Sequence, residues 1–304
     1  MNLLLENVVN LSAVTIDRVP VPAIGNHNIK LDVLRLDKIH PVISGNKWFK
    51  LTHYLQEAVQ NNQKQVITFG GAYSNHIIAT ACAASKAGLA SIAIIRGEKP
   101  ANLSHTLLDA AQYGMQLRFI SRKLYNQKND PAFIQQLMQE YGNPCIIPEG
   151  GEGGLGIKGA AGILQLADAG EYTHIVCAVG TGTLLSGLLS SSSENQQVIG
   201  IAVLKGFDDW LPAAISEMQK KRLKIITGYH FGGYAKKNND LFSFMNRWYE
   251  ATKIPSDFVY TGKLFFAVND LIEKGFFSNN SRLLVIHSGG LQGNKSLPPK
   301  TLDF

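Results

Sequence analysis

The stretch "QVITFGGAYSNHIIATACAASKAGLASIAIIR", Gln65–Arg96, decides the fold. "QVITFGG" (65–71) is a β-branched run that ends in a glycine pair, so it reads as a strand. "SNHIIATACAASKAG" (74–88) starts on a serine cap and stops at Gly88, so it reads as a helix, and "ASIAIIR" (90–96) is the next strand. Both strands are almost continuously apolar. A strand with one wet face would alternate, so these need helices on both faces, which is the habit of parallel sheets.

The same alternation continues outward. Strands are expected at "MQLRFIS" (115–121), "PCIIPEGG" (144–151), "THIVCAVG" (173–180), "QQVIGIAVL" (196–204), "LKIITGY" (223–229) and "RLLVIH" (282–287). Helices are expected after Lys47, over 102–114, after the Asp130-Pro131 cap, over "GIKGAAGILQLADA" (156–169), over "TLLSGLLSS" (183–191), over 238–253 and after Tyr260. These are more strands than one open sheet of ordinary size holds. The expected fold class is therefore α/β with two domains of mostly parallel sheets flanked by helices. A small domain is expected at 49–160 and a large one from 1–48 with 161–304. The glycine-rich turn at 150–156 is a candidate crossing point.

Bulk properties narrow the function. The 304 residues are 45% hydrophobic and 17% charged, which suits a folded chain with a sizeable core. The formal charge of +6 is scattered, with only short pairs such as Lys220-Lys221 and Lys236-Lys237, so no nucleic-acid track is expected; anionic small molecules are the better partners. Cys82, Cys145 and Cys177 lie far apart in apolar surroundings and read as core thiols. "MNLLLENVVN" (1–10) lacks a basic start and is broken by Glu6 and Asn7, so it does not read as a signal peptide. No apolar run is long enough to span a bilayer, and a cytoplasmic protein is expected. The eight histidines show no HxxxH or HxH spacing, and no metal site is expected; His76 and His230 read as supporting groups.

In open parallel sheets, ligands bind beyond the carboxyl ends of strands. Four such ends carry chemistry here. "FGGAYSNH" (69–76) offers Ser74 and Asn75 beside a glycine pair, although Ser74 also serves as a plain helix cap. "AVGTGTLLSG" (178–187) places Gly180, Thr181, Gly182 and Thr183 at a helix start, where free N–H groups and hydroxyls suit a phosphate. It is neither a Walker loop nor a dinucleotide fingerprint, since Leu185 stands at the third glycine position. "VYTGK" (259–263) brings Tyr260, and "VIHSGG" (285–290) brings His287 and Ser288. Upstream, "HPVISGNKWFKLTHYL" (40–55) sets Lys47 beside a glycine and an amide at a helix mouth. A turn lysine, a phosphate loop and an asparagine at a strand end share one explanation, pyridoxal 5′-phosphate (PLP). Lys47 would bond it covalently, 180–183 would hold its phosphate and Asn75 its ring hydroxyl.

"SGNKWFKL", "FGGAYSNH", "GTGT", "YHFGGYAK", "YTGK" and "HSGG" stand in the order that resembles the 1-aminocyclopropane-1-carboxylate (ACC) deaminase and D-cysteine desulfhydrase family, PLP enzymes of the tryptophan synthase β-like fold type II. The resemblance runs from about Pro20 to about Gly293. It implies PLP in an interdomain cleft, with Lys47 as Schiff-base lysine, Lys50 near the phosphate, Ser74 as catalytic serine, Asn75 at the ring hydroxyl, and Tyr234 and Tyr260 as active-site tyrosines. It also implies a homodimer acting on a small amino acid. The deaminases resemble "YEGK" and "HLGG" at the last two motifs, where a glutamate holds a proton on the pyridine nitrogen. Thr261 and Ser288 stand there instead, as hydroxyl residues do in the desulfhydrases. The expected reaction is α,β-elimination of D-cysteine to pyruvate, ammonia and sulfide. Lys47 is the first choice for carrying the α-proton, with Ser74 or a tyrosine as other carriers. The segment between Gly206 and Tyr229 is compact, which leaves other β-substituted D-amino acids open as substrates. The other readings are ACC deaminase, a PLP lyase or racemase on another amino acid, a PLP-binding protein without turnover, and a nucleotide-binding protein using 180–183.

Overall fold

A computed structural model describes residues 5, 7–20, 28–207 and 215–304. The amino-terminal stretch 1–10 and the compact 206–229 segment therefore fall partly outside the described residues. In chain order the elements are β1 (Ile16–Val19), β2 (Lys30–Arg35), α1 (Asn46–Gln60), β3 (Gln65–Gly70), α2 (Asn75–Lys86), β4 (Ala90–Arg96), α3 (His105–Gln112), β5 (Gln116–Ile120), α4 (Arg122–Tyr125), α5 (Pro131–Glu140), β6 (Cys145–Ile147), α6 (Gly154–Ala161), β7 (His174–Val179), α7 (Thr183–Ser191), β8 (Gln197–Ala202), α8 (Glu217–Arg222), β9 (Leu223–Ile226), α9 (Asn239–Thr252), α10 (Thr261–Glu273) and β10 (Arg282–His287). None of the described helices is long and apolar enough to cross a membrane.

The chain divides into two compact units. One holds His40–Ile43 and Lys47–Gly159 with the described residues up to Leu11; the other holds Ser12–Ile39, Ser44–Asn46 and Ala160–Phe304. The first contains a four-stranded sheet in the order β5-β4-β3-β6, parallel throughout. Both faces are covered. Ile67, Phe69, Ile92 and Ile94 pack on Tyr125, Phe133 and Leu137 of α4 and α5. Ala93 and Ile95 pack on Ile77, Ile78, Ala81 and Leu107 of α2 and α3. That two-sided burial is what the continuous apolar runs demanded. The helices start where side chains accept the free N–H groups: Ser74, Ser104 and Asp130 each cap their helix, at about 1 kcal/mol apiece.

The second unit carries a six-stranded sheet in the order β1-β2-β10-β7-β8-β9, parallel except for the β1–β2 pair. Its core joins strand residues such as Val33, Val176, Ile199 and Val285 to Leu264, Phe265 and Trp248. The Trp248 and Phe265 rings stack at 4.6 Å, which locks α9 onto α10. The mixed α/β class with parallel sheets flanked by helices is thus the observed one.

The helix expected over 156–169 is broken. It is α-helical only over Gly154–Ala161 and then tightens into a 3₁₀ segment, Gly162–Leu166. Gly159 lies on the carbonyl of Phe49, where a side chain has no room. The change of unit follows at once, between Gly159 and Ala160, after the glycine-rich turn. Cys82, Cys145 and Cys177 are buried and are not in disulfides.

Candidate active site

Lys47 is placed by the residues before it. Gly45 has φ +67° and lies so close to Ser288 that an added Cβ would overlap the Ser288 carbonyl. Its N–H donates to Leu36 O at 3.0 Å, and the Asn46 N–H donates to that same Ser288 carbonyl at 3.2 Å. Gly45 and Asn46 are therefore held on the turn that follows β10. Gly45→Ala combines a left-handed φ with backbone overlap, so a loss of at least about 2 kcal/mol is expected. Thermal unfolding should read it as a drop of roughly 4–8 °C or more.

In the unit that contains Lys47, that residue is half-buried and Lys50, one turn on, is buried. The chain leaves β3 through Gly70 and Gly71 and enters α2 at Ser74, whose hydroxyl accepts the Ile77 N–H at 3.4 Å. Asn75 is buried, and its Oδ1 has no hydrogen-bond partner. The neighbouring His76 is fixed in one tautomer. Thr68 gives its single hydroxyl proton to Ile147 O at 2.9 Å, so the 2.8 Å bond to His76 must be donated by Nε2–H. His76 Nδ1 is then a bare lone pair, buried and unpartnered. Burial, helped by the charges of Lys47 and Lys50, pushes His76 down to about 3, so it stays neutral. Two orphan acceptors at one helix start each cost about 1–3 kcal/mol unless a bound group supplies a donor.

In the other unit, β7 ends in the loop Gly180–Thr183. Gly182 is the cap of α7 with φ 85° and provides no side-chain cap bond. The Thr181 and Thr183 hydroxyls lie 3.0 Å apart at this helix start. Such a nine-residue helix with an uncapped first turn and two hydroxyls is an anion cradle. The Tyr260 ring lies over Gly180, where an added Cβ would stand 3.2 Å from Cε1. Ser288 is buried at the end of β10, the parallel neighbour of β7, so both strand ends open on the same edge.

Thr261 is fully buried and engaged. Its hydroxyl donates to Asp257 Oδ1 at 2.8 Å and accepts the Asp257 N–H at 2.7 Å. Asp257 Oδ1 also takes the Thr261 N–H, and Oδ2 takes those of Val259 and Tyr260. Burial still pushes the Asp257 carboxyl up, against these four bonds. The carboxylate beside Thr261 thus serves the start of α10. His287 ties the two turns together: Nε2–H donates to Pro255 O at 2.7 Å, and Nδ1 accepts the Gly289 N–H at 3.2 Å. Asp37 stands 3.4 Å from that Nδ1 and makes a paired contact with Arg35, which also holds Asp17. Burial alone would raise Asp37, but the paired contact with the Arg35 guanidinium holds it below the usual carboxylate range.

One unit therefore gathers Lys47, Lys50, Ser74 and Asn75. The other gathers Gly180–Thr183, Tyr260, Thr261 and Ser288, with Tyr234 in an exposed loop, 54% accessible. Asp257 and His287's bonds were not expected from sequence. "DFVYT" does hold an Asx-type start signal, because an aspartate precedes the helix at capping distance. The residues fit PLP: an amine, an anion cradle and a buried amide acceptor lacking a partner are the donor set that its aldehyde, phosphate and ring hydroxyl need.

Comparison with known proteins bears on this set. The family described as "Pyridoxal-phosphate dependent enzyme" matches residues 19–289. A Pyrococcus horikoshii protein named "Putative 1-aminocyclopropane-1-carboxylate deaminase" is 30% identical over 86% of this chain and 85% of its own. A D-cysteine desulfhydrase of Klebsiella pneumoniae is 26% identical, covering 89% of this chain and 90% of its own. The structure titled "Crystal Structure Analysis of the ACC deaminase homologue" superposes with a TM-score of 0.71 at 26% identity over 97% of both chains. With a match across most of its length and a donor set suited to the cofactor, the chain belongs to the family of pyridoxal-phosphate dependent enzymes.

Proposed function

We propose that this PLP-dependent lyase catalyses α,β-elimination on a β-substituted D-amino acid, D-cysteine first, giving pyruvate, ammonia and sulfide with uptake of one water. One observation supports the choice of substrate: neither Thr261 nor Ser288 is a carboxylate, and the carboxylate next to Thr261 has all its bonding committed to the start of α10. A neutral partner at the pyridine nitrogen suits loss of a good leaving group from Cβ. Opening a cyclopropane, which has no α-hydrogen to lose, needs the stronger pull of a protonated ring.

When bound, the cofactor withdraws electrons from the substrate's α-carbon. The protein's residues do the rest. Lys47 anchors the cofactor and, as the free amine, carries the α-proton; its place at the mouth of α1 is set by the Asn46–Ser288 bond. Gly180–Thr183 would hold the phosphate, Lys50 would add positive charge, and Asn75 would hold the ring hydroxyl. Ser288 is the better neutral partner for the ring nitrogen, since Thr261 has already given its proton to Asp257. Ser74, Tyr234 and Tyr260 face the substrate and hold or pass protons.

The test runs D-cysteine, L-cysteine and ACC in parallel on yellow holoenzyme, with sulfide, pyruvate and 2-oxobutyrate assayed. Sulfide and pyruvate from D-cysteine alone are expected. 2-Oxobutyrate from ACC would establish the second reading, ACC deaminase, which the 30% identity to the Pyrococcus horikoshii relative favours. The resemblance also carries the proposals of a small domain at 49–160 and of a cytoplasmic homodimer; sedimentation at a monomer mass would sink the latter.

A further inference from the structure

Helix α10 carries a lysine that the proposed reaction leaves unused. Lys263 is fully buried, and its Nζ donates to three backbone carbonyls: His230 and Gly233, each at 2.9 Å, and Val203 at 3.4 Å. Val203 follows β8. His230 and Gly233 belong to the loop 228–236, which carries Tyr234. Burial pulls Lys263 down to about 8, with the charge of Asp257 opposing.

That loop is folded against local preference. Phe231 and Ala235, which flank Tyr234 on either side, have φ of 52° and 53° despite their Cβ atoms. Each such residue costs about 1–2 kcal/mol and persists only where its surroundings over-determine it. Two successive turns close the loop, from the Gly233 N–H to His230 O at 3.0 Å and from the Lys236 N–H to Gly233 O at 3.2 Å. Lys263 takes up the remaining capacity of these same two carbonyls.

We propose that Lys263 is the positioning residue for Tyr234: its ammonium fastens the strained 228–236 loop to the first turn of α10, so that Tyr234 and Tyr260 are referenced to one rigid element. This rests on the reading of Tyr234 as an active-site residue. Tyr260 caps the helix whose first turn carries Lys263, so loss of the clamp frees one tyrosine and leaves the other in place.

The test is Lys263→Met in the holoenzyme, which keeps side-chain length and removes every donor. The visible band of bound cofactor should persist. With D-cysteine, kcat should fall about tenfold or more while KM stays within about threefold, as for a misplaced group that acts in the chemical step. Trypsin should cut after Lys236 or Lys237 faster than in the wild type. Adding Tyr234→Phe to Lys263→Met should lower kcat no further, because the two changes remove one function. Full kcat with unchanged tryptic cleavage, or losses that simply add, would overturn the proposal. If Lys263→Met does not fold, hydrogen exchange on the wild type decides: Gly233 and Lys236 amides protected like those of β8 support the clamp, and exchange at the rate of exposed turns refutes it. Should the wild type consume no D-amino acid, the proposed reaction fails, while cleavage and exchange still judge the clamp.

Discussion

Lys47→Ala is expected to lose at least about 10³-fold in kcat, since in the proposed mechanism it removes both the covalent anchor and the proton carrier. The visible band of lysine-bound cofactor should vanish with it. The fold should survive. Lys47 is the second residue of α1, the helix start is fixed through Asn46 and Gly45, and alanine is the best helix former. His76 would lose one of the two positive neighbours that keep it neutral, but burial and Lys50 remain. Unfolding temperature should therefore stay close to that of the wild-type apoenzyme, while PLP becomes removable by dialysis. In the proposed reading the phosphate contacts at Gly180–Thr183 would still retain it without a covalent bond. Residual turnover near the wild-type rate would move the anchoring role to another amine. Lys50 would be the first to test, because it lies one turn away and is buried.

The parallel core and most of the candidate site could be read from the chain because both obey short-range rules. Strands buried on two faces must be continuously apolar, and helix starts must be capped, so β3, β4, β7 and β10 and the caps at Ser74 and Asp130 announce themselves. The strand pair β1–β2 does not. "KLDVLR" carries an aspartate and an arginine at positions that are buried in the structure. Those charges are tolerated because Asp32 meets Arg18 and Tyr172 while Arg35 meets Asp37 and Asp17. Asp37 is only two residues from Arg35, but the other partners lie 14 to 140 residues away and leave no periodic signature. The site shows the same divide. Lys47, Asn75 and the 180–183 loop are visible as residue types beside turns, whereas Lys263 and Asp257 are defined by what they bond. A lysine reads as a surface residue until three carbonyls from two other segments surround it. Thr261 shows how far this matters. Its identity is plain in the sequence, but its commitment to Asp257 emerges only from the fold.

That commitment makes Thr261→Glu a severe change. A swap meant to place a carboxylate at the pyridine nitrogen, as in "YEGK", would put it into a fully buried position against Asp257. Two carboxylates in one dry site cannot both ionise, and the helix start also loses the threonine hydroxyl. The expected cost is on the order of 3–5 kcal/mol near neutral pH, the scale of an uncompensated buried charge. For a chain of this size that is a fall of about 6–20 °C in the unfolding temperature. The pH dependence has a definite sign. One carboxyl of the pair is held protonated in the folded variant and ionises near its ordinary value when unfolded, so the folded state binds more protons across that window. Stability lost at pH 8 should be partly regained towards pH 5, and the gap to wild type should narrow. Thr261→Ser, which keeps the hydroxyl, should stay close to wild type, and Thr261→Val should lose about 1–3 kcal/mol for an acceptor left without its donor. A stable Thr261→Glu enzyme that releases 2-oxobutyrate from ACC would show that Asp257 yields its place readily and that one residue separates the two chemistries. An unstable one shows that the aspartate four residues upstream must change together with Thr261, so the choice of ring-nitrogen partner is built into how α10 begins.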